Sequence, residues 1–275
     1  MVVQDRASKI HKEKSSFPDK FLLGNCIERN LIKNQFYCDF NSLIIIGGTK
    51  KLEKHNKIPR ILIRRIGDSL CCTLLVEKAL TESTLYSCTA INDKINIKYV
   101  LALLNSKLYT YVVKQNMVTN QQAFPQILMT DLETLKIPII ENDKQLKFAE
   151  LEDLILKLTK DYYSQKSKII KLITQKFTNI KITNKLENWS ELDFATFLKE
   201  LEKQKIKLPL SEQYEWLDYF EKEKSKANEL QEQIKKTDDE IDRMVYELYD
   251  LTYDEIKIIE PDIKITKIGL KSFSN

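Results

Sequence analysis

The chain has 275 residues, 43% hydrophobic and 31% charged, with only 5 Gly and 6 Pro and a formal net charge of +4. That apolar share can bury one or two cores, and so little Gly and Pro points to long regular elements rather than a loop-rich or disordered chain. No run reaches the ~18 apolar residues of a membrane span, and the opening residues lack a signal-peptide core, so a soluble, cytoplasmic protein is expected.

Residues 1–16 are polar and read as a flexible lead. From residue 17 the pattern alternates: residues 20–29 and 36–40 look like short strands, with Gly24-Asn25 as a turn. Residues 43–46 form another short apolar run that ends in Gly47-Gly48-Thr49-Lys50. Without Gly-x-x-x-x-Gly-Lys-Ser/Thr spacing, this is a plain turn rather than a phosphate loop.

Residues 58–68 stand at the centre of the fold. Pro59 leads into β-branched and aliphatic residues, and Gly67-Asp68 closes the run, which is the punctuation of a short strand. Alternation puts Arg60 and Arg64 on the face of Leu62, and Arg65 on the opposite face with Ile61 and Ile63. Three guanidiniums on a strand this apolar need anionic partners, either carboxylates elsewhere in the fold or an external polyanion. Charge along the chain bears on the choice. Residues 1–143 carry 20 Lys/Arg against 14 Asp/Glu, net +6, whereas residues 144–275 carry 24 against 26, net −2. Residues 50–65 hold Lys50, Lys51, Lys54, Lys57, Arg60, Arg64 and Arg65 against Glu53 alone, and residues 94–130 contain no carboxylate. This is the electrostatic footprint of a polyanion-binding surface.

Residues 70–75 and 84–90 read as further strands. Residues 96–114 repeat apolar side chains at three- and four-residue steps, predicting one amphipathic helix with Asn105, Lys107 and Lys114 on its polar face. The run of residues 115–122 is rich in Asn and Gln, whose amides can pair bidentately with adenine, although an exposed amide loop needs no ligand. Thr130-Asp-Leu-Glu133 predicts a capping box, and residues 137–140 an edge strand that ends the first domain.

Beyond residue 144 the texture changes to long helices. Apolar residues recur in heptad-like steps from Phe148 to Leu172, with Gln165 at one seam position, and again from Ala227 to Leu248, with Thr237 interrupting. Two such helices joined by a connector suggest an antiparallel coiled-coil hairpin, the alternative being two helices in an ordinary core. A shorter helix headed by Ser190 is expected over residues 190–204, and Thr252 should cap a last one. The cysteines Cys26, Cys38, Cys71, Cys72 and Cys88 lack Cys-x-x-Cys spacing and read as buried hydrophobes. His11 and His55, far apart, offer little for a metal site or a catalytic triad, so no cofactor is expected.

Several stretches together resemble a known family: residues 59–67, Leu103-Leu-Asn-Ser-Lys107, Phe124-Pro-Gln126, residues 131–138 and above all residues 240–256. In this order they are similar to the TaqI-like C-terminal specificity domain of type IIG restriction-modification enzymes, and to one half of a type I specificity subunit. The resemblance runs from about residue 20 to residue 260. One departure is Asn30, where the family more often has an aromatic residue after the Ile-x-Arg pattern of Ile27 to Arg29, which leaves the role of Arg29 open. The resemblance implies a target recognition domain docking in the DNA major groove, and helices that hold it against a methyltransferase core. The chain has no Pro-Pro pair, hence no Asn-Pro-Pro-Tyr methyltransferase motif, and no recognisable nuclease constellation, so it is not expected to be an enzyme by itself.

The expected architecture is α+β: a mixed α/β target recognition domain over residues 17–143, then a long-helix, partner-docking region over 144–275. Lys57, Arg60, Arg64, Arg65, Lys107 and Lys114 are the candidates for phosphate or guanine contacts, and Asn116, Asn120, Gln121 and Gln122 the candidate base readers. The expected partners are double-stranded DNA and an adenine DNA methyltransferase or endonuclease, as a separate subunit or a fused domain. As a half-size specificity subunit the chain could form a homodimer. The rival reading is a coiled-coil adaptor whose basic face binds an acidic protein.

Overall fold

The computed structural model describes residues 1–14, 16–116, 118–119, 125–177 and 179–263. The architecture is α+β, 53% helical and 14% strand. Chain contacts group into two compact units, one of residues 1–154 and 238–275, the other of residues 155–237. The helices Asn142–Lys176 and Leu210–Leu248 each contribute residues to both. Sequence texture changes near residue 144, yet residues 238–275 fold with the first unit.

In the first unit the strand Arg60–Arg64 is the middle of an antiparallel sheet, between Leu85–Cys88 and Cys72–Leu75. Its register sets Leu62 opposite Thr73 and Ser87. Leu62 packs with Leu22, Cys26, Ile27, Leu75, Ala79 and Leu85. A second sheet orders Phe36–Cys38, Asp19–Leu22 and Leu80–Thr81, the last pair parallel. The first residues are not a flexible lead. Val2–Val3 pairs with Ile45–Gly47, and Met1 and Val3 are buried with Phe21, Cys38, Ile45 and Leu80. A ladder this short is held by main-chain bonds and two side chains, too little to stand out from a polar neighbourhood.

The stretch expected as one helix is two, Ile97–Asn105 and Lys107–Asn116. The chain turns extended at Ser106. There the Ser106 hydroxyl donates to Leu103 O at 2.7 Å, and the Lys107 amide donates to the Asp242 carboxylate at 2.8 Å. A carboxylate on the free amides of a helix start is a favourable cap, and here it comes from a distant part of the chain. The first helix is almost wholly buried from Tyr99 to Asn105.

Two further expectations need correction. Residues 137–140 form no strand, and the carbonyls of this stretch serve tyrosines instead: Tyr99 donates to Pro138 O at 3.0 Å and Tyr109 to Lys136 O at 2.6 Å. Thr130 is not a cap, because the single turn Met129–Leu132 begins one residue earlier, after Leu128.

In the second unit the two long helices run antiparallel. Gln165 donates to Glu223 at 2.6 Å, and eleven residues further along the first helix Lys176 pairs with Glu212, eleven residues back along the second. The connector is more than a link, since Leu186, Trp189, Phe197, Leu201 and Leu208 join Ile169, Ile173, Trp216 and Phe220 in one core. Its helix is Phe194–Glu202, capped by Asp193 accepting from the Thr196 amide at 2.6 Å, whereas Ser190 is buried in the preceding 3-10 turn. Thr252 caps Tyr253–Ile259 with a reciprocal bond from Glu255, as its spacing predicts.

Candidate nucleic-acid interface

The central strand divides its arginines by face. Arg60 is 1% exposed and donates to Lys54 O at 3.1 Å and Ala79 O at 2.5 Å. Burial pulls its guanidinium down to about 10, still cationic at neutral pH. Arg64, two residues past Leu62 on the same face, donates to Gly24 O at 3.1 Å and to Ile27 O. Neither carboxylates nor an external polyanion satisfies this face. Main-chain carbonyls do, and Arg60 is corrected from a DNA-contact candidate to a framework residue because its donors point into the core.

Arg65 lies on the other face at the end of the strand, half-buried, with Nη2 3.3 Å from Gln126 Oε1. Its carbonyl accepts from the Ile127 amide at 3.0 Å, Gly67 N donates to Pro125 O at 3.0 Å, and Ile66 bridges Gln126. Val118–Thr119 pairs antiparallel with Gln126–Ile127. The Asn- and Gln-rich segment is thereby mounted on the arginine end of the central strand, with Thr119 and Pro125 as its last described residues on either side. Asn120, Gln121 and Gln122 lie outside the described residues, and so does the side chain of Asn116, the last residue of its helix. Lys114 is exposed in the last turn of that helix.

The other end of the strand carries the lysines. Lys50, Lys51, Lys54 and Lys57 are all exposed, and Lys57 lines an open cleft of about 500 Å³ with Pro59, Thr89 and Asn92. His55 beneath them is 2% exposed, and burial pushes it down to about 4, so it adds no charge at neutral pH.

Lys107 is also corrected to an internal role. Its ammonium meets Glu260 at 2.8 Å, Asp239 at 3.1 Å and Asp242 at 3.3 Å. Burial opposes its charge, but hydrogen bonds from Glu260 and Asp239 and the charge of Asp242 hold it above the usual lysine value. Beside it Arg29 grips both carboxylate oxygens of Asp238 at 2.6 and 2.7 Å. Asn30 occupies a left-handed position, φ 61°, in the turn between Ile27–Glu28 and Leu31–Ile32. Asn tolerates that conformation where a bulky side chain is strained, and its Oδ1 accepts from Asn105 at 2.5 Å. Sequence reasoning missed Arg29, Asp238 and Asp242 as a docking set. The available signal was the charge contrast: acids dense at residues 238–242 and absent from residues 94–130.

Residues 19–139 match the family model of the TaqI-like C-terminal specificity domain. This stretch belongs to that family. The match supports a DNA-recognition role in restriction and modification, in general partnership with DNA and a methyltransferase, and a specificity domain is a reading element rather than a catalytic one. The TaqI-like domain holds the central strand, the lysine patch and the mounted segment. Residues 141–245 match a second family, described as a domain of unknown function (DUF8810). No curated protein matches the chain significantly. Among the described residues, no helix is long and apolar enough to cross a membrane, and no His/Cys/Asp/Glu group is arranged to hold a metal ion.

Proposed function

We propose that this protein is the sequence-specific DNA-binding module of a restriction-modification system, type IIG or type I-like, which directs an adenine DNA methyltransferase or endonuclease to its site. The single observation that carries this reading is the TaqI-like specificity domain over residues 19–139. Its geometry refines the contact set. With Arg60 and Lys107 committed internally and Arg64 turned onto Gly24 and Ile27, phosphate and guanine contacts fall to Lys57, Arg65 and Lys114. Asn116, Asn120, Gln121 and Gln122 read base edges from the segment mounted beside Arg65. Arg suits that place because its planar fork engages guanine bidentately, while the lysines act as point charges on the backbone. Residues 17–143 do the reading, and the helices of residues 144–275 orient the reader and dock the catalytic partner. The module works in the cytoplasm, where the genome of a restricting cell is accessible.

The test is repeated selection from a randomised duplex pool, with the chain alone and with a cognate methyltransferase. Enrichment of one consensus supports the reading. A pool that stays random even with the partner present, while binding remains salt-sensitive, reduces the protein to a non-specific polyanion binder and sinks it.

A further inference from the structure

In the second unit, the helix Leu210–Leu248 begins with a stripe that its own core leaves uncovered. Leu210 is 83% exposed, Tyr214 79% and Leu217 40%, while Trp216 and Phe220 on the other side are buried in the core. Steps of four and three residues put the three exposed side chains on one face, so they form a contiguous apolar patch rather than scattered surface residues.

Charge is graded along the same line. Exposed Lys205 and Lys207 precede the stripe, and exposed Asp218 and Glu221 follow it. A basic end, an apolar middle and an acidic end complement a copy of themselves only when that copy runs the opposite way, as a two-fold axis requires. With the axis between Gln213 and Tyr214, Leu210 of one copy meets Leu217 of the other, and Lys207 comes beside Glu221. Glu215 then falls opposite Glu212, whose charge is already balanced by Lys176. Antiparallel helices also oppose their dipoles, whereas a parallel pairing sets like charge on like. From these observations we propose that the Leu210, Tyr214, Leu217 face is the contact between two copies of this chain in a two-fold homodimer. The proposal does not rest on DNA reading.

Sedimentation equilibrium of the full chain without DNA, over a concentration series, tests it. The mass should climb from 32.3 kDa toward twice that value. Leu210→Gln with Tyr214→Gln should weaken association by about tenfold or more. Helix content and melting temperature should not change, because both side chains face solvent. Lys207→Glu should weaken it by about threefold, and adding Glu221→Lys should restore it. A mass that stays monomeric at every concentration overturns the proposal. So does a dimer indifferent to all these variants, or a stripe that engages only a methyltransferase partner.

Discussion

Arg29 and Asp238, 209 residues apart in sequence, are joined through both guanidinium nitrogens and both carboxylate oxygens. The Arg29 Nε also donates to Asn105 O at 3.2 Å, so one side chain ties the first hairpin of the TaqI-like domain, the buried helix Ile97–Asn105 and the returning end of the chain. Arg29→Ala and Asp238→Ala should each destabilise the fold. In a double-mutant cycle read by urea denaturation, the coupling should be ~1–2 kcal/mol, held down because the Arg29 side chain is 38% exposed. Arg29→Lys should recover little of it, since an ammonium cannot make the two parallel bonds.

Glu152 gives the fold a pH dependence. It is 1% exposed, neither carboxylate oxygen has a hydrogen-bond partner, and burial pushes its carboxyl up to about 8 against the pull of Arg29. A folded-state value above the unfolded 4.5 means that the folded chain binds the proton more tightly, so stability falls as pH rises from about 4.5 through about 8. Asp242, raised to about 6 by burial, adds a smaller loss in the same direction between 3.8 and 6. Glu152→Gln should leave the melting temperature nearly unchanged at pH 5 and raise it at pH 8.5. Equal effects at both values would show that the carboxyl is ionised throughout.

Arg60→Met should separate framework from contact. It removes donors from Lys54 O and Ala79 O, and the expected cost is ~2–4 kcal/mol in thermal or urea unfolding. Among molecules that remain folded, the salt dependence of DNA binding should match the parent. A reduced salt slope with unchanged stability would return Arg60 to the DNA surface.

Lys57 and Lys107 should behave in opposite ways. Lys57→Ala should lower the slope of log affinity against log salt by ~0.9 with no loss of stability, as expected for one phosphate contact. Lys107→Ala should leave that slope alone and destabilise the fold by ~1–3 kcal/mol, because it strands the buried Asp242. Filter binding at several salt concentrations, paired with denaturation curves, checks both.

These contrasts mark where sequence reading succeeds and where it stops. The strand at residues 60–64, its neighbours and the two long helices were legible because Pro, Gly and apolar periodicity are local signals. Alternation also assigned Arg60 and Arg64 to one face. What it could not supply was the content of that face, since the carbonyls of Gly24, Ile27 and Ala79 arrive through tertiary packing. The break at Ser106 escaped for the same reason: the carboxylate that accepts from the Lys107 amide is 135 residues away. Gln165 looked like a flaw in an apolar seam, and its partner Glu223 makes it a register pin between antiparallel helices.

The mounting of the amide-rich segment asks nothing of the side chains it carries. Ile127 and Arg65, and Gly67 and Pro125, meet through main-chain groups, so rewriting positions 120–124 leaves those tethers intact. New cognate sequences could therefore be acquired by exchanging a short cassette, without renegotiating the scaffold beneath it.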